Sequence, residues 1–189
     1  MKHATIVFLV LLTGAFGLTA LGLVAPSHAD EIKIAFDIKP GSCPNPINPP
    51  GFTLVTFPTA IPGTDSLDAS SIDAGSLVLV VPEGGGRILA EITPIATHIS
   101  DVATPFYPEE MCDCTDAAGD STLDLSVLFD RDEVEAALGP RAPGEVIRLC
   151  ITGRLLDGTT FEGCDCVFVV GPTGVESRTW GTVKGRLSR

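Results

Sequence analysis

Six cysteines constrain this chain more than any other feature, because all of them follow an N-terminal segment typical of exported proteins. Residues 1–29 contain 18 apolar residues, one lysine and no acid, and they end in a Ser-His-Ala triplet that fits a signal peptidase site. We expect a signal peptide at 1–29, cleavage before Asp30, and a secreted mature protein, periplasmic or extracellular, with no membrane association. An uncleaved anchor is the alternative, because residues 4–25 are long enough to span a bilayer.

An oxidising compartment favours paired thiols, so the sequence predicts three disulfides. The disulfide candidates are Cys43, Cys112, Cys114, Cys150, Cys164 and Cys166. Two Cys-Asp-Cys triplets, at 112–114 and 164–166, allow the alternative of a four-thiolate zinc site. Their spacing is shorter than that of most zinc-binding pairs, and oxidation consumes thiolates, so we favour structural disulfides.

The disulfide connectivity depends on a hairpin that is predicted around Asp157 and Gly158. A two-residue turn there places Cys150 opposite Asp165 and allows no bridge across the hairpin. A one-residue bulge instead places Cys150 opposite one of the two later cysteines. Alternatively, a later cysteine pairs with Cys43 or with the 112–114 triplet, so the connectivity stays open.

The apolar residues after the signal segment follow the pattern of a sheet protein. Residues 31–38 alternate polar and apolar side chains, as in a strand buried on one face, and the five prolines of 39–51 predict a rigid loop without regular pairing. Further strand-like runs lie at 52–57, 75–81, 87–95, 123–129, 146–155 and 160–170. One helix is predicted at 131–138, with Asp130 as its N-cap and Gly139 and Pro140 ending it.

These elements predict an all-β fold, an antiparallel β-sandwich of about seven or eight strands with one short peripheral helix, stabilised by disulfides. We expect the sandwich domain at 30–171. From residue 172 the composition becomes polar and basic, so 172–189 is predicted to be a C-terminal tail that Trp180 packs against the body.

Charge and histidine content exclude several classes of function. The chain has 24 acidic and 12 basic residues, and nucleic-acid binding needs clustered lysine and arginine, so no nucleic-acid partner is expected. His98 is the only histidine after the signal segment, which excludes metal sites built on several histidines. No Gly-x-Ser-x-Gly segment accompanies it, and no catalytic residue is predicted.

The most unusual part of the chain is acidic: residues 101–135 contain eleven acids and one base, Arg131. Within it, Asp116, Asp120 and Asp124 stand at positions 1, 5 and 9 of a loop, a spacing that calcium loops use. These three residues are the candidate metal ligands, and calcium is the cofactor that they would bind. The loop departs from the calcium pattern at Ala118, Ser121 and Val127, where such loops carry a ligand, a glycine and a glutamate. A solvated acidic turn is therefore the alternative.

Residues 36–48, FDIKPGSCPNPIN, resemble the signature of the DIKPGSCPNPIN-motif domain of secreted bacterial and archaeal proteins. Segments similar to the same family lie at 63–73, 101–106, 123–130 and 149–165. The resemblance implies an extracellular β-rich module with no assigned activity. It also implies an Asp-x-Asn-Gly-Asp-Gly-x-x-Asp loop at the place of 116–124, where this chain differs.

Together these features predict an exported, non-catalytic structural or adhesive module that contacts an extracellular partner of unknown identity. One alternative is a calcium-dependent extracellular binding module. Another is a secreted hydrolase that uses carboxylates within 101–135, which would need a cleft lined by at least two of them.

Overall fold

The computed structural model describes residues 31–47, 55–84 and 87–171. The predicted signal peptide at 1–29 and the predicted tail at 172–189 lie outside the described residues. The strands are β1 Ile32–Lys33, β2 Asp37–Ile38, β3 Pro46–Ile47, β4 Thr56–Ile61, β5 Val78–Gly84, β6 Arg87–Ile92, β7 Ala96–Ser100, β8 Asp124–Asp130, β9 Val146–Arg154 and β10 Thr160–Val169. The helix α1 spans Arg131–Leu138, and two 3-10 helices span Ala69–Ser71 and Ala74–Ser76.

The strands form two sheets, which confirms the predicted all-β sandwich. The larger sheet has the order β1-β10-β9-β5-β6, with β3 also paired to β10, and the smaller has the order β2-β4-β8-β7. Pairing is antiparallel except that β1 and β3 each run parallel to β10. The described part thus has ten strands rather than seven or eight, and three of them are only two residues long.

One hydrophobic core lies between the sheets, as sandwich packing requires. Phe57 and Phe129 of the smaller sheet and Leu149 and Phe161 of the larger sheet are at most 1% exposed. Helix α1 covers one end of this core with Val134 and Leu138. It begins after Asp130, whose side chain accepts the Glu133 N–H at 3.0 Å, as predicted for the N-cap. Within the described ranges no helix has the length and apolarity needed to cross a bilayer.

Two sequence-based predictions in the first third of the chain are wrong. Residues 31–38 are not one strand: β1 pairs with β10 in the larger sheet, β2 pairs with β4 in the smaller, and the buried residues 34–36 cross between them. Residues 46 and 47 of the proline-rich segment do pair regularly, as β3 beside β10. Pro46 is tolerated because β3 is an edge strand, where a missing N–H leaves no gap in a ladder.

The hairpin between β9 and β10 has the bulged geometry, not the two-residue turn. Gly158 N–H donates to the Leu155 carbonyl at 2.9 Å, and Leu155 N–H donates to Thr159 at 2.9 Å, so the loop has three residues. Gly158 has φ +92°, a conformation that suits glycine in this type of loop. The extra residue sets the register so that Cys150 lies directly opposite Cys164.

Candidate functional site

All six cysteines are paired in three disulfides, and all three meet around one short stretch of β10. The pairs are Cys43–Cys114, Cys112–Cys166 and Cys150–Cys164, with Cα–Cα distances of 5.5, 5.2 and 4.0 Å. The first two tie the loop of residues 101–123 to the proline-rich segment and to β10. The four-thiolate zinc alternative has no thiolate left to use.

Asp165 lies at the centre of this arrangement, between Cys164 and Cys166. Its Oδ2 accepts hydrogen bonds from Ile38 N–H and from Asn45 Nδ2, both at 2.8 Å, and its Oδ1 accepts the Cys166 N–H at 2.6 Å. Asn45, which is 1% exposed, also donates to the Cys166 carbonyl at 3.1 Å. The FDIKPGSCPNPIN segment therefore wraps around the Asp165 side chain and binds it from both ends.

The local sequence of that segment explains the wrap. Lys39 and Gly41 have φ values of +55° and +79°, which turn the chain sharply after β2, and Ser42 N–H closes the turn on the Lys39 carbonyl at 3.1 Å. The Lys39 ammonium group donates to the Pro46 carbonyl across the loop. The chain then rejoins the sheet, where the Asn45 carbonyl accepts the Phe168 N–H at 2.8 Å.

Asp37 is the second carboxyl of the site, and it is more deeply buried than the half-buried Asp165. Asp37 is 7% exposed, and its Oδ2 has no hydrogen-bond partner among the described residues. Burial, with the negative charges of Asp165 and Asp124 adding to it, raises the pKa of Asp37 to about 7. Burial also raises the pKa of Asp165, although its hydrogen bonds from Ile38, Cys166 and Asn45 oppose that shift. We call Asp37, Asn45 and Asp165 the carboxylate cluster.

The cavity beside the carboxylate cluster is too small for a substrate. Its volume is about 10 Å³, and Asp37, Phe106, Asp113 and Asp165 are among its walls. A space of this size holds roughly one water molecule. Near neutral pH the chemistry open to the cluster is therefore the gain or loss of a proton at Asp37.

The three predicted metal ligands occupy different surroundings. Asp124 is fully buried: its Oδ1 accepts the Gly63 N–H at 3.0 Å, and its Oδ2 accepts the N–H groups of Val102 and Ala103 at 2.8 and 2.9 Å. Asp116 and Asp120 are exposed, and the Asp120 carboxylate accepts the Thr122 N–H at 2.8 Å. Asp124 thus anchors the backbone at both ends of the 101–123 loop, and calcium binding by the loop stays a prediction.

In the part of the chain that the structure describes, the three aspartates do not bring their oxygens within 4.8 Å of one another. The residues that do meet this distance are Cys150, Glu162 and Cys164. The two sulfurs are bonded to each other, and the Glu162 carboxylate binds the Lys33 ammonium at 2.5 Å. This group therefore offers no metal site.

Two hollows bear on the hydrolase alternative. One, of about 240 Å³, is lined by Glu109, Glu110 and Asp113, and its volume falls below the roughly 300–1,000 Å³ of typical ligand sites. The other, of about 640 Å³, contains Asp132 and Glu135. It is otherwise mostly apolar, and Glu135 is paired with the Arg131 guanidinium at 2.6 Å.

The acids with raised pKa, Asp37 and Asp165, lie outside 101–135. The hydrolase alternative therefore stays a prediction without a matching site.

Sequence reasoning did not identify the carboxylate cluster as a site. Asp37 and Asn45 lie within the segment that carries the family resemblance, and Asp165 lies at the centre of a Cys-Asp-Cys triplet. The sequence signal that could have indicated the cluster is an acidic residue between two cysteines on a predicted strand. His98, the single histidine after the signal segment, is an exposed residue on the edge strand β7.

Comparisons with known proteins give little further information. No family model matches the chain, and no curated protein matches it. Among solved structures, it is similar to AggA, the major subunit of aggregative adherence fimbriae type I from Escherichia coli, at 11% identity, covering 75% of this chain and 99% of that one, with a TM-score of 0.27. A similarity at this level carries no argument about function.

Proposed function

We propose that this protein is an exported, non-catalytic structural or adhesive module. The observation that carries the proposal is the pairing of all six cysteines in three disulfides. Such a set persists in oxidising compartments and is rare in the cytosol. The proposal agrees with the signal peptide that the N-terminal sequence predicts.

The disulfides also suggest which surface the module presents. The 101–123 loop has no strand or helix of its own, and loops of this length are usually functional or unstructured. Two disulfides and the buried Asp124 side chain hold it on the body. The loop then displays Glu109, Glu110 and Met111 to solvent on a fixed framework. We infer that the acidic surface formed by this loop is the contact region for an extracellular partner.

The test is to express the full chain, separate the cell fractions and alkylate each fraction without reduction. We expect the protein outside the cytoplasm, with no cysteine labelled until a reductant is added. A reduced cytoplasmic protein, or four or more labelled cysteines in the exported form, would overturn the proposal. Assay of the exported protein against a panel of ester, glycoside and peptide substrates is the companion measurement, and turnover that survives purification would contradict the non-catalytic assignment.

A further inference from the structure

An apolar groove lies at the end of the sandwich where α1, β3 and β10 finish. It has a volume of about 640 Å³ and is the larger of the two hollows described above. Its walls are formed mainly by Ile47, Leu138, Pro140, Pro143, Val169 and Val170. We call it the α1 groove. Its volume lies within the roughly 300–1,000 Å³ of typical binding sites, which are concave and mostly apolar.

The last described residues of the chain, which end at Gly171, lie along this groove. Val169 and Val170 line the groove, and Gly171 follows so closely against Pro143 that an added Cβ would lie 3.2 Å from that ring. The described chain therefore ends, at Gly171, beside the groove wall. Eighteen residues remain, and a chain of that length extends to roughly 60 Å. Trp180 lies nine positions beyond Gly171, within easy reach of the groove.

The distribution of charge favours residues 172–189 as the segment that occupies the α1 groove. The described ranges contain 22 acidic and 7 basic residues, whereas 172–189 contains four basic residues and one acidic residue. Helix α1, which forms one side of the groove, contributes exposed Asp132 to the lining, and the lining cation Arg141 is already paired with Glu145 at 3.2 Å. Opposite charge on the two surfaces steers and holds the segment, and the attraction is weakened by salt.

From these observations we propose that residues 172–189 fold back into the α1 groove of the same molecule, with Trp180 as the apolar anchor. Trp180 is the only tryptophan of the chain. A tryptophan ring buries a large area and is enriched at contacts between surfaces. The basic residues that flank it then lie towards the acidic side of the groove.

The experiment uses the full mature chain with selective excitation of tryptophan, so that the emission comes from Trp180 and not from Tyr107. Ala136 is exposed on α1 and lines the groove, so Ala136→Arg fills the groove and adds a repelling charge. The matched control is Ala96→Arg on exposed β7, which makes the same substitution away from the groove. Circular dichroism and thiol counting verify that both variants keep the fold.

For the natural chain and the Ala96→Arg control we expect blue-shifted Trp180 emission and slow tryptic cleavage after Arg178. Ala136→Arg should shift the emission to that of the denatured chain. It should also raise the cleavage rate about tenfold, because cleavage follows the population of the undocked segment. A solvent-exposed Trp180 in the natural chain, equal behaviour of the two variants, or a blue shift that disappears on dilution would each overturn docking within one molecule.

Discussion

The carboxyl group of Asp37, which is buried, and that of Asp165, which is half-buried, belong to opposite sheets and meet at their interface. Asp37 lies on β2 of the smaller sheet and Asp165 on β10 of the larger. The N–H of Ile38, next to Asp37, donates to Asp165 at 2.8 Å, while Asp37 Oδ2 finds no hydrogen-bond donor within the described ranges. One carboxylate is therefore well bonded as an anion, and its neighbour is better accommodated as a neutral acid.

This relationship predicts that the protein loses stability as the pH rises from about 4 to about 7. The folded state binds the Asp37 proton more tightly than the unfolded state does, because burial raises the pKa of Asp37 from 3.8 to about 7. The contribution to the free energy of unfolding is complete below the unfolded pKa and is lost as pH rises through the folded pKa. Each unit of pKa shift corresponds to about 1.4 kcal/mol, so the total is a few kcal/mol.

The variant Asp37→Asn isolates this effect, since it keeps the shape and removes the titration. We expect its free energy of unfolding to exceed that of the natural protein by about 1–3 kcal/mol near pH 8, with the gain disappearing towards pH 4. Urea unfolding across this range measures it, with Asp65→Asn in an exposed turn as the control. A pH dependence that is the same in the natural protein and in Asp37→Asn would contradict the assignment.

The disulfides predict a graded loss of stability when they are removed one at a time. Cys112–Cys166 spans 54 residues and Cys150–Cys164 spans 14, and a longer closed loop restricts the unfolded chain more. We expect the double variant Cys112→Ser, Cys166→Ser to lose about 1 kcal/mol more than Cys150→Ser, Cys164→Ser. Urea unfolding of the two double variants tests this. An equal loss would mean that native packing, rather than loop closure, determines the contribution of each bridge.

Elements with a strong local signal were predictable from the sequence. Helix α1 has an N-cap and a glycine stop, and β8, β9 and β10 have strand-like composition, so their existence needed no tertiary information. The exposed edge strand β7 has no apolar alternation and was not predicted. The Asp-Gly turn fits both a two-residue and a three-residue loop, and only the packing of β9 against β10 decides the register.

The carboxylate cluster could not be predicted for a different reason. In an alternating strand Asp37 would lie on the polar face, but the chain changes sheets at residues 34–36 and Asp37 becomes buried. The pairing of Cys43 with Cys114 depends on how the 101–123 loop folds back, which no periodicity encodes. Long-range geometry of this kind arises from the packed sandwich as a whole.

The hydrogen bonds of Asp124, a candidate metal ligand in the sequence analysis, predict that its substitution strongly destabilises the fold. Asp124→Ala leaves the N–H groups of Gly63, Val102 and Ala103 without their acceptor in a buried place. We expect a loss of about 3 kcal/mol in the free energy of unfolding. Asp120→Ala, which removes one exposed bond to Thr122, should lose less than about 1 kcal/mol. Chemical unfolding in a chelator compares the two, and similar losses would argue against the anchoring role of Asp124.

Calcium binding by the acidic loop predicts a different result at Asp120. Asp116 and Asp120 are exposed, whereas the Asp124 oxygens already accept three N–H groups, so an ion bound here would be held weakly. With a Kd of about 1 mM, typical of weak extracellular sites, 10 mM calcium would stabilise the fold by about 1.4 kcal/mol. We expect the melting temperature to rise with calcium in the natural protein and in the exposed control Asp65→Ala, but not in Asp120→Ala. Asp120→Ala leaves the hydrogen bonds of Asp124 intact, so it tests the ion and not the fold. The prediction of calcium binding by this loop would be wrong if the melting temperature still rose with calcium in Asp120→Ala, or if it did not rise in the natural protein.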